Sequence, residues 1–261
     1  LLIFTPPERA EAVATDWAEK TFIQDVDIEV STDSFGVFGV HGPKATEKIA
    51  SVLNGASAPD EQLRFVRGSM GDEGVTVIRG DGLTGEEGYE VVCAASEAES
   101  VFDTLINNGL NAAPFGYRTW ETLTLEAGTP LFRTELEGTI PNSLGLRNAL
   151  DFEKGCYLGQ EIVSRVENRG QPSQRLVGLV CERLPESGAA VSVEDDTIGE
   201  VTHAIESPML ETPLAFALVE FGLDTNEVSV RIDDKEQSAR VESLPFVEGS
   251  DESARLPTYS P

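Results

Sequence analysis

The sequence predicts an α+β protein, with helices layered on an antiparallel sheet and a run of short strands completing the chain. Three observations carry that expectation. Helical and strand-like periods alternate through the first half in the order β-α-β-β-α, which suggests a ferredoxin-like layering. Beyond Gly170 the composition shifts to closely spaced β segments separated by Gly, Pro and Asp, the pattern of a small antiparallel barrel or sandwich. A hydrophobic content of 40% in 261 residues supplies a substantial core and excludes wholesale disorder.

In chain order, LLIFT at Leu1–Thr5 reads as a buried strand. Pro6 and Pro7 then open a helix with Val13 and Trp17 on one face and Lys20 near its end. VDIEV (Val26–Val30) and SFGVFGVHGP (Ser34–Pro43) read as strands, and His41 as a turn residue. The next helix turns Ala45, Ile49, Val52 and Leu53 inward and ends before Gly55. LRFVRGSM and VTVIRG form a hairpin about the Gly71–Gly74 turn. In GDGLTGEEGYEVVCA, Tyr89, Val91 and Cys93 share one strand face, with Glu90 and Val92 on the other. On residue type alone Glu90 is a solvent-facing edge residue. Ser96-x-x-Glu99 has the form of a capping box opening a helix with Val101, Phe102, Leu105 and Ile106 inward. A further helix over Tyr117–Ala127 places Tyr117, Trp120, Leu123 and Ala127 on one stripe, which makes Trp120 a core tryptophan by pattern. The β segments are RLVGLVCE, AAVSV, TIGEVTHA, PLAFALVE, EVSVRI and SARVESLPF, and His203 among them is structural.

Charge narrows the setting. The chain carries 46 acidic residues against 19 basic ones, a formal charge of −27 spread along its length, and only five of the cations are lysines. Dispersed acidity with scarce lysine is the composition expected of a protein from a halophile, where salt screens self-repulsion within about 3 Å. It argues against direct binding of nucleic acid, because nothing neutralises phosphates in bulk. The 3 cysteines, Cys93, Cys156 and Cys181, lack disulfide or metal-ligand spacing, so no metal is expected. No apolar run approaches the ~18 residues of a membrane span and no signal peptide is present, so the expectation is a cytoplasmic protein without a membrane contact.

The densest chemistry lies in DFEKGCYLGQEIVSR, Asp151–Arg165. Gly155 and Gly159 permit tight turns, and helical spacing begins after Gly159 with Ile162, Val163 and Val166. Cys156 therefore precedes a helix N-terminus, with Lys154 two residues before it, and both favour a thiolate. Read locally, Cys156 is either a small packed hydrophobe at a turn or such a reactive thiol.

KGCYLGQE (Lys154, Gly155, Cys156, Tyr157, Gly159, Gln160 and Glu161 among its residues), preceded by TIPNSLGL and followed by RVENRG and RLVGL, resembles the signature of the YgfZ-like folate-binding proteins. These are relatives of the glycine-cleavage T-protein, the aminomethyltransferase. TGEEGYE and LEAG resemble T-protein segments common to both branches. The resemblance covers almost the whole chain and implies T-protein-type folate-binding layers over residues 1–170, a C-terminal β-barrel over 171–248, and a mobile tail over 249–261. It also implies a missing N-terminal stretch, which in the family carries the catalytic aspartate.

Tetrahydrofolate is the implied cofactor. Glu90 matches the family glutamate that pairs with the pterin's adjacent donors. Trp120 stands where the transferases carry arginine and the YgfZ-like branch a folate-binding tryptophan, with Arg118, close by on the helix, as the candidate substitute for that arginine. Cys156 is the candidate catalytic residue. The implied function is support of iron–sulfur protein assembly or repair and, through it, tRNA modification, with iron–sulfur proteins as partners. The alternative is an aminomethyltransferase, a one-carbon transferase that works with a lipoyl carrier protein. A folate sensor without chemistry is a third reading.

The charge generates the first prediction. On dialysis from molar salt to about 0.1 M, where screening extends to ~10 Å, the melting temperature followed by circular dichroism should fall markedly. An unchanged melting temperature removes the halophile expectation.

Overall fold

The computed structural model describes residues 1–21, 23–80, 82–233 and 235–249. It divides into two compact units. The first comprises Leu1–Val40, Glu47–Arg79 and Tyr89–Ala113, and the second comprises His41–Thr46, Gly80–Gly88 and the chain from Pro114 onward. The expected tail lies, from residue 250, outside the described residues.

Helix α1 (Ala10–Lys20) opens the first unit, followed by β1 (Phe35–His41), α2 (Ala45–Val52), β2 (Leu53–Asn54), β3 (Phe65–Met70), β4 (Glu73–Arg79), β5 (Gly88–Ala94) and α3 (Ala98–Asn107). The strands form a five-stranded sheet in the order β1-β5-β4-β3-β2. Its hairpin is tighter than expected: Met70 pairs with Glu73, so Gly71 and Asp72 alone make the turn, with Gly71 at φ 61°. Helix α2 buries Ala45, Ile49, Val52 and its neighbour Leu53 as predicted, and Tyr89, Val91 and Cys93 are buried on β5. Lys48 is buried too; its ammonium donates to the carbonyls of Asn108 (2.5 Å) and Leu110 (2.6 Å), closing the C-terminal end of α3.

Several local expectations fail for identifiable reasons. Leu1–Thr5 is irregular, and Leu1 to Phe4 are exposed. Val26–Val30 is irregular as well; Asp25, Asp27 and Glu29 flank its apolar residues, and Val26 is exposed. Glu8 takes φ 66°, so the helix expected at Pro6 starts only at Ala10, and it buries no residue. The Ser96–Glu99 capping box does not form: a 3₁₀ turn at Ala95–Glu97 leads into α3, whose N-cap is Glu97 without a side-chain bond. On α3, Val101, Thr104 and Leu105 are buried while Phe102 is exposed.

The second unit carries α4 (Tyr117–Glu126), a π-helical turn at Phe132–Leu136 and α5 (Gln160–Arg169), and then the strands β6 (Gln174–Cys181), β7 (Ala190–Val193), β8 (Asp196–Ser207), β9 (Thr212–Glu220), β10 (Glu227–Ile232) and β11 (Lys235–Glu242). Five of the β segments form where the sequence places them, the last is shifted to Lys235–Glu242 and leaves residues 243–246 outside it, and the six close into a barrel in the order β10-β11-β6-β9-β8-β7. Inward-facing residues alternate along the strands except where register shifts interrupt β8, and Leu179, Val191, Ala215, Ala217 and Val219 are fully buried in the barrel core. A second cluster joins Leu125 of α4 with Leu144, Leu176, Leu214 and Phe216, and the Phe246 ring stacks on Phe216 at 6.3 Å.

Helix α4 differs from its predicted stripe. Ala127 at its end is buried as predicted, but the other buried residues are Thr124, Leu125 and Glu126 in the last turn, whereas Tyr117 is 84% exposed and Trp120 half-buried. Anchoring by its C-terminal end leaves the first turns free of the core.

The barrel offers a packing test. A Cβ on Gly199 would stand 2.1 Å from the Leu218 carbonyl oxygen, a backbone atom of the neighbouring strand. Gly199→Ala should therefore destabilise the protein by about 1–3 kcal/mol, read as a lowered denaturation midpoint with an unchanged slope.

Candidate functional site

The TGEEGYE segment is held by three fixed points within the second unit. Gly42 N–H donates to the Glu87 carbonyl at 3.0 Å, and the Glu87 carboxylate (Oε2) accepts from Thr46 N–H at 3.0 Å, capping the first turn of α2. At Gly85 (φ 73°), a Cβ would lie 3.2 Å from that of Ala127, so the turn is laid directly on the LEAG end of α4. The same end is tied to the barrel: the Glu126 carbonyl accepts from Phe246 N–H (2.9 Å) and Val247 N–H (3.0 Å), and its buried carboxylate accepts from Ser207 Oγ at 2.5 Å.

Between these segments sits His41, the last residue of β1. Its ring centroid lies 5.1 Å from that of Trp120 at 59°, and 6.5 Å from Phe115 at 63°. On its other side is Gly88, where a Cβ would come within 2.9 Å of His41 Nδ1. That Nδ1 is buried and finds no hydrogen-bond partner among the described residues. Burial holds the imidazole below its usual pKa. The sequence reading of His41 as a turn residue is thereby corrected. Nothing local marks it, because its aromatic neighbours come from distant segments; the one signal is the glycine at 88 that makes room for the ring.

Trp120 is consequently not the fully packed core residue that its helical stripe suggests: one part of the indole meets His41 and the residue stays half-accessible. Arg118, the second candidate on α4, is exposed. Glu90 belongs to the first unit, where it is half-buried on β5 opposite Ile78. It is therefore not the solvent-facing edge residue that its type suggests, since β5 lies between β1 and β4.

The Cys156 motif builds a substructure of its own. Asp151 Oδ1 accepts the backbone N–H groups of Glu153 (2.9 Å) and Lys154 (3.0 Å), forming an Asx turn. The Lys154 ammonium lies 4.7 Å from the Tyr157 ring centroid, directed at the aromatic face. Tyr157 N–H donates to Gln160 Oε1 at 3.0 Å, and Gly159, at φ 86°, is the N-cap of α5. Glu161 follows in the first helical turn. Between these closures Cys156 is exposed, in company with Leu158 and Ile162. Arg147 pairs with Glu167 and lies 5.1 Å from the Phe152 ring, lining a cleft of about 540 Å³ that Cys156 does not line. Among the described residues no His, Cys, Asp and Glu side chains cluster as a metal site, and no helix is long and apolar enough to cross a membrane.

An α+β sheet unit, a helix carrying a half-buried tryptophan and a closed six-stranded barrel define the class. Residues 3–154 match the GCVT N-terminal domain, and residues 174–248 the glycine cleavage T-protein C-terminal barrel domain. The chain belongs to the glycine cleavage T-protein family. It is 31% identical over 258 residues to an aminomethyltransferase of Streptomyces coelicolor, covering 94% of this chain and 68% of that protein. It is 32% identical over 238 residues to one of Halalkalibacterium halodurans, covering 88% and 65%. The crystal structure of an aminomethyltransferase from Bartonella henselae shares the fold, with a TM-score of 0.73 at 23% identity over 92% of this chain and 66% of that one. The chain thus spans about two thirds of the length of these relatives.

The three thiols differ in a testable way. Burial pushes the Cys181 thiol up to about 11. Burial also raises that of Cys93, with Glu97 and Glu73 adding to the rise and a hydrogen bond to the Gly36 carbonyl opposing it. A thiol-alkylating reagent at neutral pH should label Cys156 in the native protein, and Cys93 and Cys181 only after denaturation; mass spectrometry of the peptides reads the order. Native labelling of either buried cysteine at the rate of Cys156 contradicts this.

Proposed function

We propose that the protein binds tetrahydrofolate and acts as an aminomethyltransferase-type one-carbon transferase, passing a one-carbon unit from a lipoyl-bound aminomethyl carrier to the folate. The observation that carries the reading is the half-buried Trp120 indole beside the junction of TGEEG and LEAG. A flat, partly accessible aromatic surface suits a pterin or aryl ring. The carboxylate of Glu90 suits the paired donors of a pterin edge. The names of the curated relatives support the transferase over a role in iron–sulfur assembly.

One observation favours that second role. Cys156 is exposed, locally fixed and absent from the transferase version of the motif, which supports a YgfZ-like function at iron–sulfur proteins and, through them, in tRNA modification. The two readings share the folate.

Folate binding is tested with Trp120→Ala. If the indole stacks on the ligand, binding of tetrahydrofolate should weaken by about 1–3 kcal/mol, on the scale of base–aromatic stacking. A packing role instead predicts a stability loss of about 3–5 kcal/mol with affinity retained in the folded fraction. Aminomethyl transfer from the lipoyl carrier then separates the readings. Transfer that survives Cys156→Ser supports the transferase; absent transfer, with cellular iron–sulfur enzyme activity that needs Cys156, supports the alternative.

A further inference from the structure

We propose that His41 is the positioning residue of the folate site, setting the plane in which Trp120 presents its indole. The inference rests on the reading of Trp120 as a folate contact. Its own evidence is the geometry of the ring. His41 is clamped between Gly88, whose missing Cβ leaves room for Nδ1, and the indole 5.1 Å away, with Phe115 closing a further side. Trp120 lies toward the N-terminal end of α4, outside the buried last turn. The His41 ring is therefore an aromatic contact placed to orient it.

The clamp has a polar consequence. Nδ1 is buried and has no hydrogen-bond partner among the described residues, so a proton added to the ring gains a charge in a desolvated place. Among the described residues, the charged side chains on the surrounding segments are Lys44, Glu86, Glu87, Arg118 and Glu121; Glu87 is already engaged by Thr46 N–H, and Lys44 and Arg118 are exposed. Attraction between an imidazolium and the indole face opposes the desolvation, but burial prevails and lowers the pKa. The folded protein thus takes up this proton less readily than the unfolded chain. As pH falls below about 6.5, the ordinary value, the unfolded state is favoured increasingly, until the ring ionises in place.

The test uses the intrinsic probe. The chain has 2 tryptophans, so Trp17→Phe leaves Trp120 as the sole emitter. An imidazolium quenches a neighbouring indole, so emission should fall on acidification with a midpoint below 6.5, and His41→Gln should abolish that titration. Emission that titrates unchanged in His41→Gln overturns the inference. Binding supplies the second arm. His41→Ala and His41→Gln should both weaken tetrahydrofolate binding about tenfold, and His41→Phe, which restores a planar ring, should recover most of it. Normal affinity in all three variants, while Trp120→Ala loses affinity, also overturns it. A titration abolished by His41→Gln alongside normal folate binding by Trp120→Ala sustains the clamp and removes the functional reading instead.

Discussion

The arrangement depends on one close approach. Gly85 lies on Ala127 with little room for a Cβ of its own, and the segments around the proposed site meet at that contact. Because the turn cannot stand further off, Glu87 falls where it caps α2 and Gly88 falls beneath His41. Because the helix end cannot shift, Glu126 meets both Ser207 and the segment after the last barrel strand. Side-chain bulk at position 85 would separate these contacts, and the backbone there, at φ 73°, is one that residues with a Cβ adopt at a cost.

A buried carboxylate at Glu126 and another at Glu135 fit this picture. Glu135 accepts from Leu131 N–H at 2.8 Å, Thr134 Oγ at 2.5 Å and Thr202 Oγ at 2.8 Å, so its oxygens bridge the π-helical turn and the barrel. Such groups destabilise a core when left without donors and fix its arrangement when supplied with them. Here they hold the segments after α4 to the barrel wall, which lets the first turns of α4 remain partly uncovered and carry an accessible tryptophan.

The barrel was legible because period-two alternation bounded by Gly, Pro and Asp is a local signal, and closure follows once six such strands occur in sequence. Inward residues of α2 and β5 were legible for the same reason. Leu1–Thr5 and Val26–Val30 were misread because β propensity does not supply a pairing partner. The last-turn burial of α4 was hidden, since it is set by Leu144, Leu176 and Phe216 and not by the helix's own period. Among the candidate residues, Cys156, Trp120 and Glu90 are marked by motifs that carry a resemblance, whereas no motif marks His41. Its surroundings are assembled from Phe115, Trp120 and Gly88, and no window of sequence contains all three.

Lys48 carries a practical meaning for anyone working with this molecule. Its ammonium is enclosed by two carbonyls at the end of α3, while Lys20, Lys44, Lys154 and Lys235 are exposed. Amine-directed coupling, cross-linking or tethering to a surface therefore finds four exposed lysine side chains among the described residues. Of these, Lys154 borders the Cys156 motif. A tether chosen for convenience would readily land beside the one exposed thiol, and immobilised protein would then present that face to the support.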